Sequence, residues 1–149
     1  MTWSLAQKRA KHALEQINSL QNADDYGKYV PYVNALPASI ITSGLGQALA
    51  MERAGCKLSG HKFLFKHMLD WLGKGWERSP YKDKVGQAGA DDEQAKALFM
   101  AITEQNERDY IRAQAEALEY LEWLKKFAAA FLTDPDDAVK SDEDRGKAE

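Results

Sequence analysis

The chain has 149 residues, 44% hydrophobic and 29% charged, with four prolines and a net charge of -3; that is enough for one domain with a real core, and too apolar for a disordered chain. A lone cysteine, Cys56, excludes an internal disulfide and offers no Cys-x-x-Cys pair for metal or redox work. Charge is uneven: residues 1–89 hold 12 Lys and Arg against 7 Asp and Glu, and residues 90–149 hold 8 against 16, so a mildly basic body precedes an acidic end.

The N-terminus carries charges where an export signal needs its apolar segment, and a cytoplasmic protein is expected. Runs of Ala, Leu, Glu, Lys and Gln favour helix, and no alternating strand pattern occurs. The expected fold is all-α, a single compact bundle of about five to six helices over residues 1–133. An acidic tail, 134–149, with 7 acids and 3 bases, is expected to be disordered.

Between Leu5 and Leu20, the residues Ala6, Ala10, Ala13, Ile17 and Leu20 form one apolar stripe and leave Lys8, Arg9 and Lys11 largely outside it. Tyr26 to Ala35 fits a short helix or an irregular segment, with Pro31 tolerated near a first turn.

Residues 36–55, LPASIITSGLGQALAMERAG, pose a question, because each glycine inside a helix costs about 1 kcal/mol against alanine. No charge occurs from Tyr29 to Met51, yet prolines and polar residues interrupt the run, so it reads as a buried helix and not as a membrane span. On one continuous helix Ala38, Ile41, Leu45, Ala48 and Leu49 share an apolar face. Ser39, Ser43, Gly46 and Ala50 lie nearly opposite, with Gly44 between. Ser39, Ser43, Gly44, Gly46 and Ala50 are therefore candidate packing residues, where another backbone comes close: a neighbouring helix, another subunit or a nucleic-acid strand.

Farther on, Phe65, Met68, Leu69, Leu72 and Trp76 make a helical stripe with Lys62, Lys66 and Lys74 outside it. Residues 77–92, with Pro80, Gly86 and Gly89, read as an exposed loop carrying Arg78, Lys82 and Lys84. Asp91, Asp92 and Glu93 open a helix whose inner face holds Ala97, Leu98, Ala101 and Ile102. In a last helix, about Glu107 to Leu132, Tyr110, Ala113, Ala117, Leu121, Leu124, Ala128 and Phe131 keep steps of three and four. Arg112 with Glu116 and Glu122 with Lys126 are expected as outer pairs, and Asp134 and Pro135 as the stop.

Catalytic and metal patterns are missing from the sequence. His61 and His67 are six apart, on different sides of a helix, and no histidine has a glutamate three residues before it, which excludes i, i+4 and di-iron ligand sets. No phosphate-binding glycine loop occurs, Ser59 near His61 is a chance spacing, and the tail lacks calcium-loop spacing. No enzyme, cofactor or metal is expected. What remains is surface charge: Lys8, Arg9, Lys11, Lys62, Lys66, Arg112, Lys125 and Lys126 sit on helices whose stripes face elsewhere, and interspersed cations suit sequence-independent phosphate contact. A pI of about 5.7 is low for a dedicated nucleic-acid binder, and residue types alone equally describe a helical protein-protein adaptor without nucleic-acid contact.

Three stretches carry a family resemblance: Gln7, Arg9, Ala10 and Ala13; LPASIITSGLGQALA with Leu36, Pro37, Gly44, Leu45, Leu49 and Ala50; and Tyr110 followed by EALEYLEWLKKFA with Trp123, Leu124, Lys125, Phe127 and Ala128. In this order the chain resembles the small all-helical subunit of the type III-B CRISPR effector, the fifth named subunit of the Cmr complex. The resemblance does not extend to residues 77–92 or the tail. It implies a non-catalytic bundle in antiviral defence whose copies stack head to tail beside the crRNA-bearing backbone subunits. The large cyclase and nuclease subunit then caps one end, and the small subunits line the groove for the crRNA–target RNA duplex.

Overall fold

In the computed structural model, which describes residues 2–133, Ser4 opens the first helix with a reciprocal capping box. Its hydroxyl accepts the Gln7 amide at 3.1 Å while Gln7 Oε1 accepts the Ser4 amide at 2.8 Å. Helix α1 (Leu5–Gln21) is followed by α2 (Tyr29–Ser43), α3 (Leu45–Ala54) and α4 (Ser59–Asp70). A π-helical turn (Trp71–Gly75) then leads to α5 (Lys82–Gln87), α6 (Asp91–Glu104) and α7 (Glu107–Phe131). No strand occurs among the described residues, as the composition implies. The acidic tail, 134–149, lies outside them.

Helix α1 runs parallel to α7, because Arg9 meets Glu116 and His12 meets Tyr120. The core between these helices is built from small residues, Ala13, Ala117 and Ala128, which bring the two backbones close, with Ile17 and Leu121 filling the space between. Helix α2 packs on α7 and α4, α3 on α4 and α6, and α5 on α6 and the π turn. None of the described helices is long and apolar enough to cross a membrane.

Four expectations are corrected. The glycine-bearing helix is two helices: at Gly44 the backbone takes φ +87° and ψ 158°, ends α2 and restarts as α3 in a new phase. Val33, Leu36 and Ile40 are buried before the break and Leu45, Ala48 and Leu49 after it, while Ala38 and Ile41 face solvent. Residues 77–92 are not simply a loop, because α5 inserts Val85 against Gly73 with Tyr81 buried beside it. The α1 stripe fails at its start, where Ala6 is exposed. Glu116 is buried and paired with Arg9 instead of forming an outer pair with Arg112.

Buried polar groups make the core pH-sensitive. His67, on α4, is buried, with its Nδ1 2.7 Å from the Tyr29 hydroxyl. Burial, with smaller contributions from His12 and Lys66, pushes its pKa down to about 3. The unfolded chain takes up a proton near pH 6.5 and the folded chain does not, so stability is lost as pH drops from the first value towards the second. At pH 5 the loss is expected to reach about 2 kcal/mol relative to pH 7.5. Urea unfolding at both pH values, for wild type and His67→Gln, checks this: the variant should lack that part of the pH dependence.

Candidate nucleic-acid interface

The eight cations singled out in the sequence fall into distinct groups. Arg9 is largely withdrawn from the surface, its side chain 14% exposed. Its guanidinium forms a bidentate pair with Glu116, Nε at 2.5 Å and Nη2 at 2.9 Å, and Glu116 Oε2 also accepts Trp71 Nε1–H at 3.1 Å. That hydrogen bond with Glu116 raises the guanidinium pKa above its ordinary value. Arg9 is a half-buried, paired cation that lines a cleft, and its donors are less open than those of the lysines.

Lys8 and Lys11 stay on the surface of α1. Lys8 pairs with exposed Glu77 at 3.0 Å, and the Lys11 ammonium lies 5.1 Å from the Trp3 ring centre. Arg112 reaches toward the same end of the bundle, its guanidinium 5.2 Å from the Trp76 ring centre and 3.7 Å from Asp109. Arg78 joins them, lining one cleft with Lys8 and Trp76 and another with Arg9 and Arg112. The sequence reading left Arg78 outside its candidates, because the segment around it resembles no known pattern.

Lys62 and Lys66 lie one turn apart on α4, exposed, and make no ion pair among the described residues. One turn farther, on the same side, Asp70 accepts a hydrogen bond from His12 Nε2 at 2.7 Å, which is the main reason its carboxyl titrates below the ordinary range. His12 Nδ1 in turn meets the Tyr120 hydroxyl at 2.5 Å. The lysine row of α4 and the cations of α1 therefore border one another across the His12–Asp70 contact. Glu15, Asp70 and Glu77 interleave with them, so the face is only modestly positive.

Lys125 and Lys126 stand apart. They lie nine and ten residues beyond Glu116 along α7, about 15 Å at 1.5 Å per residue. Lys125 sits 3.7 Å from Glu122, whereas Lys126 is exposed. No pairing of Lys126 with Glu122 accompanies it among the described ion pairs.

The small-residue candidates resolve differently. A Cβ on Gly44 would lie 2.8 Å from the Tyr110 hydroxyl, and one on Gly46 would lie 3.3 Å from Ile102 Cγ2. The first amides of α3 are capped from α7: Leu45 N–H donates to Gln114 Oε1 at 3.0 Å and Gly46 N–H to Tyr110 Oη at 3.1 Å. Gly44 thus serves an intramolecular approach to α7, and Gly46 one to α6. Ser39 and Ser43 are half-buried and Ala50 is exposed, so the five do not form one smooth face.

Sequence reasoning missed two long-range polar networks, His12–Asp70–Tyr120 and Arg9–Glu116–Trp71. Their partners on α1 and α7 are 107 and 108 residues apart, and no local pattern joins them. Among the described residues no group of three or more His, Cys, Asp or Glu is placed to hold a metal ion.

Comparison with known proteins gives a concordant result. Residues 5–131 match the model of the CRISPR-associated protein family Cas_Cmr5. The fold is similar to the X-ray crystal structure of a CRISPR-associated Cmr5 family protein from Thermus thermophilus, with a TM-score of 0.69 and 24% identity, covering 89% of this chain and 100% of that one.

Proposed function

Because this chain belongs to the Cmr5 family of CRISPR-associated proteins, and so is a small subunit of the Cmr complex in CRISPR defence, we propose that it lines the groove that receives target RNA. It acts without catalysis of its own. Copies stack head to tail beside the backbone subunits, with the large cyclase and nuclease subunit at one end, and guide pairing supplies sequence choice.

The observation that supports this reading is the His12–Asp70 contact, across which the Lys62–Lys66 row of α4 borders Lys11 of α1. These three ammonium groups have no ion-pair partner among the described residues, in a chain whose net charge is negative. Phosphate contact by a few such groups is weak in one copy and salt-dependent, and stacked copies add the contacts together. Lys125 and Lys126 reach a second stretch of strand in the same filament. The adaptor alternative draws on Ile41 and Ile111, which are 71% and 60% exposed and offer apolar contact to a protein neighbour.

Assembly with partner subunits and a crRNA separates the two. The double variant Lys62→Glu/Lys66→Glu is expected to join the complex, weaken target-RNA binding roughly tenfold at low salt, and lower the logarithmic salt slope by about two. Wild-type binding and slope in the assembled variant would leave protein adaptor as the role.

A further inference from the structure

The π turn shapes a cleft that the RNA-groove reading does not use. Trp76 N–H reaches back to Trp71 C=O at 2.8 Å, across five residues, and this wide turn carries the backbone of Gly75 over the rings beneath it. A Cβ at Gly75 would come within 2.9 Å of the Trp71 ring and 3.1 Å of the His12 ring, so glycine is what lets the chain sit there.

Between this turn and the start of α1 lies a cleft of about 270 Å³, lined by Leu5, Lys8, Trp71, Trp76 and Arg78. It continues into a more open depression of about 350 Å³ bordered by Trp3, Lys11 and Glu15. Trp3 and Leu5 leave 46% and 41% of their surfaces exposed at its rim. An exposed indole beside an ammonium without a carboxylate partner is the pairing that single-stranded nucleic acid uses, a stacking surface for a base next to a cation for its phosphate.

We propose that this cleft seats one unpaired nucleotide of RNA, its base against Trp3 and Leu5 and its phosphate between Lys11 and Arg78. The inference rests on the RNA-groove reading and adds a subsite to it. At about 270 Å³ the cleft lies just below the usual range of ligand pockets, room for part of one nucleotide and not for a longer ligand. Lys8 is already neutralised by Glu77, which leaves Lys11 and Arg78 as the phosphate cations. The carboxylates of Glu15 and Glu77 at the rim accept from a ribose hydroxyl or a base amino group and repel a phosphate that enters first.

The test uses the full chain assembled with its partner subunits and crRNA, with target RNA binding followed over a salt series. Trp3→Ala is expected to weaken binding roughly tenfold with an unchanged salt slope, since stacking releases no counterions. Arg78→Glu is expected to weaken binding and lower the slope, and 4-thiouridine at an unpaired target position should crosslink to the peptide containing Trp3. If Trp3→Ala binds as wild type while Lys62→Glu/Lys66→Glu still lowers the slope, the subsite is overturned and the groove reading stands. If none of the variants changes RNA binding, both fall. If Trp3→Ala detaches the chain from the complex, the cleft is a subunit contact and the proposal is again overturned.

Discussion

Glu116→Ala is expected to destabilise the protein by about 3–5 kcal/mol, the cost of breaking a buried ion pair from one side. The melting temperature should fall on the order of 10 °C in a domain of this size. The variant leaves the Arg9 guanidinium, only 14% exposed, without its carboxylate, and strips the Trp71 indole N–H of its acceptor. Arg9→Ala should cost a similar amount, because it leaves the 4%-exposed Glu116 side chain unpaired. Arg9→Met combined with Glu116→Leu should recover most of the loss, since two apolar side chains leave no buried charge behind. Thermal unfolding of the three variants measures this. It also separates structure from binding, because Arg9→Ala at a temperature where it remains folded should keep the RNA salt slope that Lys62→Glu/Lys66→Glu loses.

Gly44→Ala is expected to cost about 3 kcal/mol. A side chain at φ +87° and ψ 158° is strained by roughly 1–3 kcal/mol wherever it is placed. Its Cβ would also displace the Tyr110 hydroxyl 2.8 Å away and weaken the cap on Gly46 N–H, a hydrogen bond worth about 1 kcal/mol. Two comparisons apportion the effect. Tyr110→Phe removes the cap without the strain and should cost about 1 kcal/mol. Gly86→Ala, inside α5 with nothing within 4 Å of the added Cβ, should be neutral or stabilise by roughly 0.5–1 kcal/mol. A loss at Gly86 equal to that at Gly44 would contradict the account of the helix break.

The same two sites mark what the sequence alone reveals. Helices α6 and α7 follow directly from three-four spacing and from end signals: Asp91 to Glu93 in the first turn of α6, and Asn106 capping α7 through the Asp109 amide at 2.8 Å. The break at Gly44 is masked in the sequence. The buried Ile40 and Leu45 are five apart, but Ile41 and Leu45 offer a regular step of four that a continuous helix would use. Reading residues 36–55 as one helix put Ala38 and Ile41 on the apolar face, whereas both are exposed on α2, whose buried positions are Leu36 and Ile40.

Short and irregular elements were harder to read. Helix α5 has six residues and one buried apolar side chain, Val85, too few for any periodicity, and its stability comes from packing on α6 and the π turn. The π turn adds one residue between Trp71 and Trp76, which shifts the stripe of α4 and keeps both indoles buried. At the site, Lys62 and Lys66 were readable as a row because i, i+4 spacing fixes their side of the helix. Arg9 was not, since burial of a cation depends on a carboxylate 107 residues away.

Contact of this chain with target RNA can be read by ultraviolet crosslinking of the assembled complex to labelled target. Crosslinked peptides are expected from α1 and α4, around Lys11 and Lys62–Lys66, in complexes that contain the guide. A complex that holds this chain and binds target, yet crosslinks only through its other subunits, would contradict it.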